Sequence, residues 1–127
     1  MKKILKIVPI LLVVVLLFAG CGSPATYEEV YNEYSAELKE ESSKLVKEFN
    51  DEAAALSGDI AKLAELSTEK IEELAKISTE GISEMAKIQT KNGDDYSVYQ
   101  DWATKLTEVY EDEAQKITDA YMSKALN

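Results

Sequence analysis

Three long segments of the chain repeat apolar residues at the spacing of an α-helix, and short breaks separate them. The segments span residues 26 to about 56, 60 to 91, and about 96 to 126. In each segment the apolar residues fall on one face, which must be covered by a partner. Three helices of matched length joined by tight turns predict an all-α fold, an antiparallel three-helix bundle, within a helical domain that covers residues 26–127.

The breaks carry recognisable start and stop signals. Thr26 and Glu29 have the spacing of a capping box, which begins a helix. Gly58 followed by Asp59 offers a helix end and a new N-cap, and Gly93 offers a second helix end. The third helix would begin at one of three nearby residues, which are Asp94, Asp95 or Ser97 with Gln100 as its capping-box partner.

The second segment contains an internal repeat of eleven residues. Leu63, Leu74 and Met85 occupy equivalent positions in successive copies. Eleven residues in three turns keep an apolar stripe nearly parallel to the helix axis. Alanines beside the stripe widen the apolar face to about 180°, which predicts that this helix packs against two neighbours.

One alternative architecture stays open at this point. The apolar pattern continues in phase from Leu56 through Ile60, and a glycine inside a helix costs only about 1 kcal/mol relative to alanine. Gly58 therefore does not by itself end the first helix. In this alternative one very long helix covers residues 26–91, and the third segment folds back on it as an extended helical hairpin. Its exposed first half would then pair with a second copy, so a homo-oligomer is also considered.

The first twenty residues have the layout of a secretory signal peptide. Lys2, Lys3 and Lys6 precede an apolar run that ends with the small residues Ala19 and Gly20. The run from residue 7 to 20 would be about 21 Å long as a helix, whereas the hydrocarbon core of a bilayer is about 30 Å thick. Residues 1–20 are therefore predicted to be a signal peptide and not a membrane-spanning helix.

The end of this signal, Phe18-Ala19-Gly20-Cys21, resembles the lipobox of bacterial lipoproteins. The resemblance implies that the Cys21 thiol carries a diacylglyceryl group, that cleavage falls between Gly20 and Cys21, and that residues 21–25 form a lipidated N-terminus and spacer. It also implies a location on the extracytoplasmic face of the cell membrane. A single cysteine cannot form an internal disulfide, and a catalytic thiol would require a histidine that the chain lacks.

Composition narrows the function further. The signal holds three of the 14 lysines and none of the 24 acidic residues, so eleven lysines remain and the exported part has a formal charge of −13. Such a surface repels nucleic-acid phosphates and favours a basic protein or another cationic envelope component as partner. Histidine and arginine are both missing. The sequence therefore predicts no enzyme, no cofactor and no metal site.

Two groups of residues are candidate interaction surfaces. In an antiparallel bundle the first and third helices begin at the same end, which would bring six aromatic residues to one level as a pocket or a membrane-proximal cluster: Tyr27, Tyr31, Tyr34, Tyr96, Tyr99 and Trp102. A row of carboxylates at i, i+4 spacing on the first helix could dock a basic partner: Glu29, Glu33, Glu37 and Glu41.

These features predict a membrane-anchored lipoprotein that acts as a structural or protein-interaction module at the cell envelope. The alternative is a carrier or binder of lipid or an apolar small molecule, because amphipathic helices with an eleven-residue repeat also occur in proteins that bind lipid. The repeat here is dominated by glutamate. Helices that lie on membranes usually frame their apolar face with lysine, so the first function is favoured.

Overall fold

A computed structural model describes residues 25–126 of the chain. It contains α1 (Tyr27–Ala53), a short 3-10 helix (Ala54–Leu56), α2 (Ile60–Asn92) and α3 (Tyr96–Ala125). Each of the three α-helices packs against the other two. The predicted antiparallel three-helix bundle is confirmed. The predicted signal peptide, the cleavage site and the lipidation site at Cys21 lie outside the described residues.

Capping hydrogen bonds confirm the predicted starts of the first two helices. The Thr26 hydroxyl accepts a bond from the Glu29 amide, and the Glu29 carboxylate accepts one from the Thr26 amide, both at 3.1 Å. At the start of α2 the Asp59 carboxylate accepts a bond from the amide of Lys62 at 3.2 Å. Both caps satisfy amides that the first turn of a helix leaves without an intrahelical partner.

The chain turns between α1 and α2, so the alternative with one continuous helix over residues 26–91 is wrong. After Ala53 the helix tightens into its 3-10 turn, and Gly58 then takes a φ of 86°. Glycine adopts this left-handed conformation without the steric cost that a Cβ imposes. The Asp59 amide donates to the carbonyl of Leu56 at 2.9 Å, which closes the turn just before the new N-cap.

The α2–α3 turn is equally short. Gly93 ends α2 with a φ of 71°, and Asp95 is the N-cap of α3. Of the three predicted starts Asp95 is therefore the one used, and Ser97 already lies in the first turn. The Asp94 carboxylate serves a tertiary contact instead, because it accepts a hydrogen bond from the hydroxyl of Tyr27 at 2.9 Å.

The apolar stripe of α2 forms the middle of the core. Leu63, Leu74 and Met85, which are equivalent in the eleven-residue repeat, are 2%, 0% and 0% exposed. From α1 and α3 the buried side chains of Leu38, Leu45, Leu106 and Ile117 join the same core. The repeat thus keeps one stripe of α2 in the space between the two other helices along its whole length.

Close approach of the helices depends on Gly81. A Cβ at this position would lie 2.6 Å from Cδ2 of Leu106 on α3 and 2.8 Å from Cγ of Tyr34 on α1. Buried serines occupy other interhelical positions, at Ser35, Ser42, Ser67 and Ser78. Small side chains therefore lie where the helices meet, and at Gly81 α2 is close to both of its neighbours.

One buried and one partly buried polar contact link α1 to the other helices. Ser42 donates a hydrogen bond to the carboxylate of Glu113 on α3, and both residues are buried. Lys70 of α2 is 8% exposed and pairs with Glu48 and Glu52 of α1 at 3.3 and 3.0 Å. A charge without its partner is costly to bury, so each contact favours one register of the helices over a shifted one.

None of the helices within residues 25–126 is both long enough and apolar enough to cross a membrane.

We predict that Gly81→Ala destabilises the bundle. Alanine is favoured over glycine in a helix by about 1 kcal/mol, but overpacking a core costs about 1 to 3 kcal/mol. The steric term should win, because both close contacts are with residues held in the core. Urea unfolding of the soluble chain from residue 22 should show a lower midpoint for the variant. Ser83→Ala is the matched control, because Ser83 is exposed on the same helix; its midpoint should be unchanged or slightly higher. An unchanged or higher midpoint for Gly81→Ala would contradict the close packing described here.

Candidate functional site

Three of the six predicted aromatic residues pack together at the end of the bundle where α1 and α3 begin. The Trp102 ring lies parallel to the ring of Tyr27, with centroids 6.5 Å apart, and is tilted against that of Tyr31, at 5.7 Å. Tyr27 is buried, whereas Tyr31 and Trp102 are half-buried. The Lys105 ammonium lies 4.3 Å from the centroid of Trp102, a cation–π contact. These contacts join the three rings into one packed group.

The same end is tied together by the hydroxyl of Tyr27. Its hydrogen bond to the Asp94 carboxylate joins the first residue of α1 to the α2–α3 turn. Burial, the hydrogen bond and the nearby negative charge raise the pKa of Tyr27 to about 12. Gln89 further holds the turn by donating to the Asp94 carbonyl at 2.8 Å. The start of the described chain and the α2–α3 turn are therefore neighbours in space.

The other three aromatic residues make different contacts. Tyr96 and Tyr99 contact each other, with ring centroids 5.4 Å apart. Tyr99 is half-buried, but Tyr96 is 62% exposed. Tyr34 lies against Gly81, farther along the bundle. The six residues thus divide into a packed group of three, a pair that reaches the surface, and one tyrosine between helices.

The predicted acidic row lies largely between α1 and α2. Glu29 is exposed and belongs to the capping box, whereas Glu33, Glu37 and Glu41 are half-buried. Carboxylates of α2 act on them electrostatically from the opposite side, and with them they form a group that we call the acidic seam: Glu33, Glu37, Glu41, Glu73, Glu80 and Glu84. The α2 members were not predicted. Their i, i+4 pair Glu80 and Glu84 was visible in the sequence, but its position opposite the row depends on the helix register.

The seam holds negative charges in an unfavourable setting. Burial and the charge of Glu84 raise the pKa of Glu33, and one carboxylate oxygen of Glu33 is buried with no hydrogen-bond partner within residues 25–126. Burial and the charges of Glu80 and of other glutamates likewise raise the pKa of Glu37. Tyr34 lies among these carboxylates, and burial together with their charges raises its pKa to about 12. Each of these shifts means that the folded chain disfavours the ionised form.

Lysines compensate the seam only at its margins. Lys44 pairs with Glu41 at 3.5 Å and Lys87 with Glu84 at 2.9 Å, and both ammonium groups are largely solvated. Burial raises the pKa of Glu73, and the charge of Lys70 opposes this without reversing it. Exposed pairs of this kind contribute little to stability, so the middle of the seam keeps an excess of negative charge.

Glu113 behaves in the opposite way. Burial alone would raise its pKa, but the hydroxyl of Ser42 and the ammonium of Lys116, which lies 2.9 Å away, lower it below the usual value, with a contribution from Lys39. The ionised carboxylate is therefore favoured in the folded chain. Glu113 therefore links α3 to α1 through a hydrogen bond, whereas the seam places like charges between α1 and α2.

A search of residues 25–126 for groups of three or more histidine, cysteine or acidic side chains that could hold a metal ion found none.

The pKa shifts predict that the bundle is more stable in mild acid than at neutral pH. Glu33, Glu37 and Glu73 have folded pKa values above the ordinary 4.5, so the folded state binds more protons than the unfolded state, and stability falls as pH rises through this window. Glu113 has the opposite sign, but its depressed pKa places its effect below 4.5. The urea midpoint should therefore be higher at about pH 5 than at pH 7.

A pair of substitutions tests the source of this effect. Glu33→Gln combined with Glu37→Gln should raise stability at neutral pH by about 0.2 to 0.5 kcal/mol for each like-charge contact removed, and should flatten the pH profile. Glu111→Gln, at an exposed position of α3, is the control and should leave the profile unchanged. A double variant that keeps the full pH dependence would show that the seam is not its origin.

Comparisons of the chain with protein-family models, with curated proteins and with solved structures found no match. A function for the protein must therefore be argued from its own residues.

Proposed function

We propose that the protein is a lipid-anchored bacterial lipoprotein whose acidic helical bundle serves as a structural or protein-interaction module at the cell envelope. The observation that carries this proposal is the order of features at the N-terminus: three lysines, an apolar run too short to span a bilayer, two small residues, and the only cysteine of the chain. Cys21 is the attachment point, and the extracytoplasmic face of the cell membrane is the location.

The beginning of the fold agrees with such an anchor. Ala25, the last residue of the predicted spacer, already packs against the hydrophobic core. Only Gly22, Ser23 and Pro24 lie between Cys21 and Ala25. Four residue steps reach at most about 14 Å when fully extended. We call the end of the bundle that carries the packed rings of Tyr27, Tyr31 and Trp102 the aromatic end. A lipid on Cys21 would therefore hold this aromatic end close to the bilayer.

A non-enzymatic role fits the chemistry of the chain. Histidine and arginine are missing, so the commonest general base and the bidentate anion-binding group are missing too. The charge of −13 on the exported part disfavours nucleic acid and favours a cationic protein or envelope component as partner. Glu29 and its row Glu33, Glu37 and Glu41 add to that negative field along α1.

The alternative, a carrier of lipid or of an apolar small molecule, is less well supported. A carrier needs an apolar face that is open to its cargo. The eleven-residue stripe of α2 is instead covered by α1 and α3, with Leu74 and Met85 fully buried. The packing of the bundle thus favours an interaction module, which uses its outer surface.

Intact-mass analysis of the protein extracted from bacterial membranes tests the proposal. We expect a chain that begins at Cys21 and carries the added mass of a diacylglyceryl group. Cys21→Ser is the matched variant, because it removes only the thiol; it should keep residues 1–20 and carry no acyl mass. A wild-type chain with an unmodified thiol, whether cleaved or not, would contradict the proposed anchor.

A further inference from the structure

The exposed apolar side chains at the start of α3 have no role in the core. Tyr96 is 62% exposed and Val98 is 40% exposed, and both lie in the first turn of the helix. The remaining aromatic side chains at this end of the bundle are buried or half-buried. The molecule therefore presents an apolar tip where α3 begins.

The position of the tip follows from the contact between Tyr27 and Asp94. Tyr96 comes two residues after Asp94, whose carboxylate is bound by the hydroxyl of Tyr27. Tyr27 is itself only six residues beyond Cys21, a path of at most about 22 Å when fully extended. The tip thus lies at the same end of the bundle as the point where the chain leads back to the lipid anchor.

The side chains of Tyr96 and Val98 are also directed toward the anchored end of the bundle. In an α-helix each Cα–Cβ bond tilts toward the N-terminus of the helix. The side chains of Tyr96 and Val98 therefore lean toward the end that carries the anchor and away from the distal end.

We propose that Tyr96 and Val98 lie in the head-group layer of the bilayer to which the Cys21 lipid is anchored. This inference rests on the proposed function, because it takes the anchor as given. Tyrosine suits this layer, since its ring is apolar and its hydroxyl can remain hydrated. The contact adds a second point of attachment beside the lipid and holds the bundle by this end.

The neighbouring charges limit the depth of the contact. Glu28 and Asp95 are exposed at the same end and Asp94 is half-buried there, with Lys91 as a nearby cation. Carboxylates are expensive to place in hydrocarbon. The tip therefore reaches the head groups and does not enter the hydrocarbon core, and zwitterionic lipid suits it better than anionic lipid.

Fluorescence quenching in vesicles tests this contact. The acylated mature protein, which begins at Cys21, is reconstituted into phosphatidylcholine vesicles that contain lipid brominated near the top of its acyl chains. Tyr96→Trp and Val98→Trp place a probe at the tip, and Leu126→Trp places the same probe at an 80% exposed position. Residue 126 lies at the opposite end of α3, about 45 Å away along the helix. The emission of the wild-type chain corrects for Trp102.

We expect the additional emission of Tyr96→Trp and Val98→Trp to shift to shorter wavelength and to lose most of its intensity in the brominated vesicles, whereas that of Leu126→Trp should change little. Intact mass of the same samples distinguishes a failure of the membrane contact from a failure of the lipid anchor. If the chain is acylated and bound but the tip probes are quenched no more than Leu126→Trp, the membrane contact is wrong and the anchor stands. If the chain carries no acyl group, the anchor and the contact both fail.

Discussion

Burial of the α2 stripe between α1 and α3 is the constraint on which the rest of the structure depends. The eleven-residue repeat returns Leu63, Leu74 and Met85 to the same face, and this face is too wide for a single partner helix. Covering it requires both neighbours, and it brings them so close at Gly81 that even a methyl group would collide with Leu106 and Tyr34. Two tight turns, each with a glycine in the left-handed conformation, join the three helices, so that no long connection is needed. The alignment of the aromatic end with the beginning of the chain follows from this closure.

Packing of the three helices around the apolar core also brings charged side chains together, with unfavourable effects at some positions and favourable effects at others. It places the carboxylates of α1 beside those of α2, where burial and mutual repulsion disfavour their ionised forms. Elsewhere it creates contacts that favour the charged form of Glu113, beside Ser42 and Lys116, and of Lys70, beside two glutamates of α1. Because repulsion between α1 and α2 persists at neutral pH, the apolar core must supply most of the stability. The excess of negative charge in the seam also gives this side of the bundle a negative field.

The sequence predicted those features that depend on local spacing. The capping box at Thr26, the N-cap at Asp59, the helix end at Gly93 and the stripe of α2 all follow from residues within one or two turns of each other. Features that depend on the relative register of two helices could not be predicted. Lys70 and Gly81 occupy equivalent positions of the repeat and look like surface residues, yet both are buried, because each faces a neighbouring helix. For the same reason the contact of Tyr34 with Gly81, and the opposition of Glu37 and Glu80, became apparent only in the folded chain.

The central claim is that residues 25–126 form a closed bundle that folds without lipid or a second copy and that, under the proposed function, a lipid on Cys21 would hold at the membrane by its aromatic end. Thermal unfolding of the soluble chain from residue 22, followed by circular dichroism together with sedimentation of the same sample, tests that claim most directly. The account predicts a helical monomer that unfolds in one cooperative transition in the absence of lipid. A chain that remains disordered until vesicles are added, or that becomes helical only as an oligomer, would contradict it.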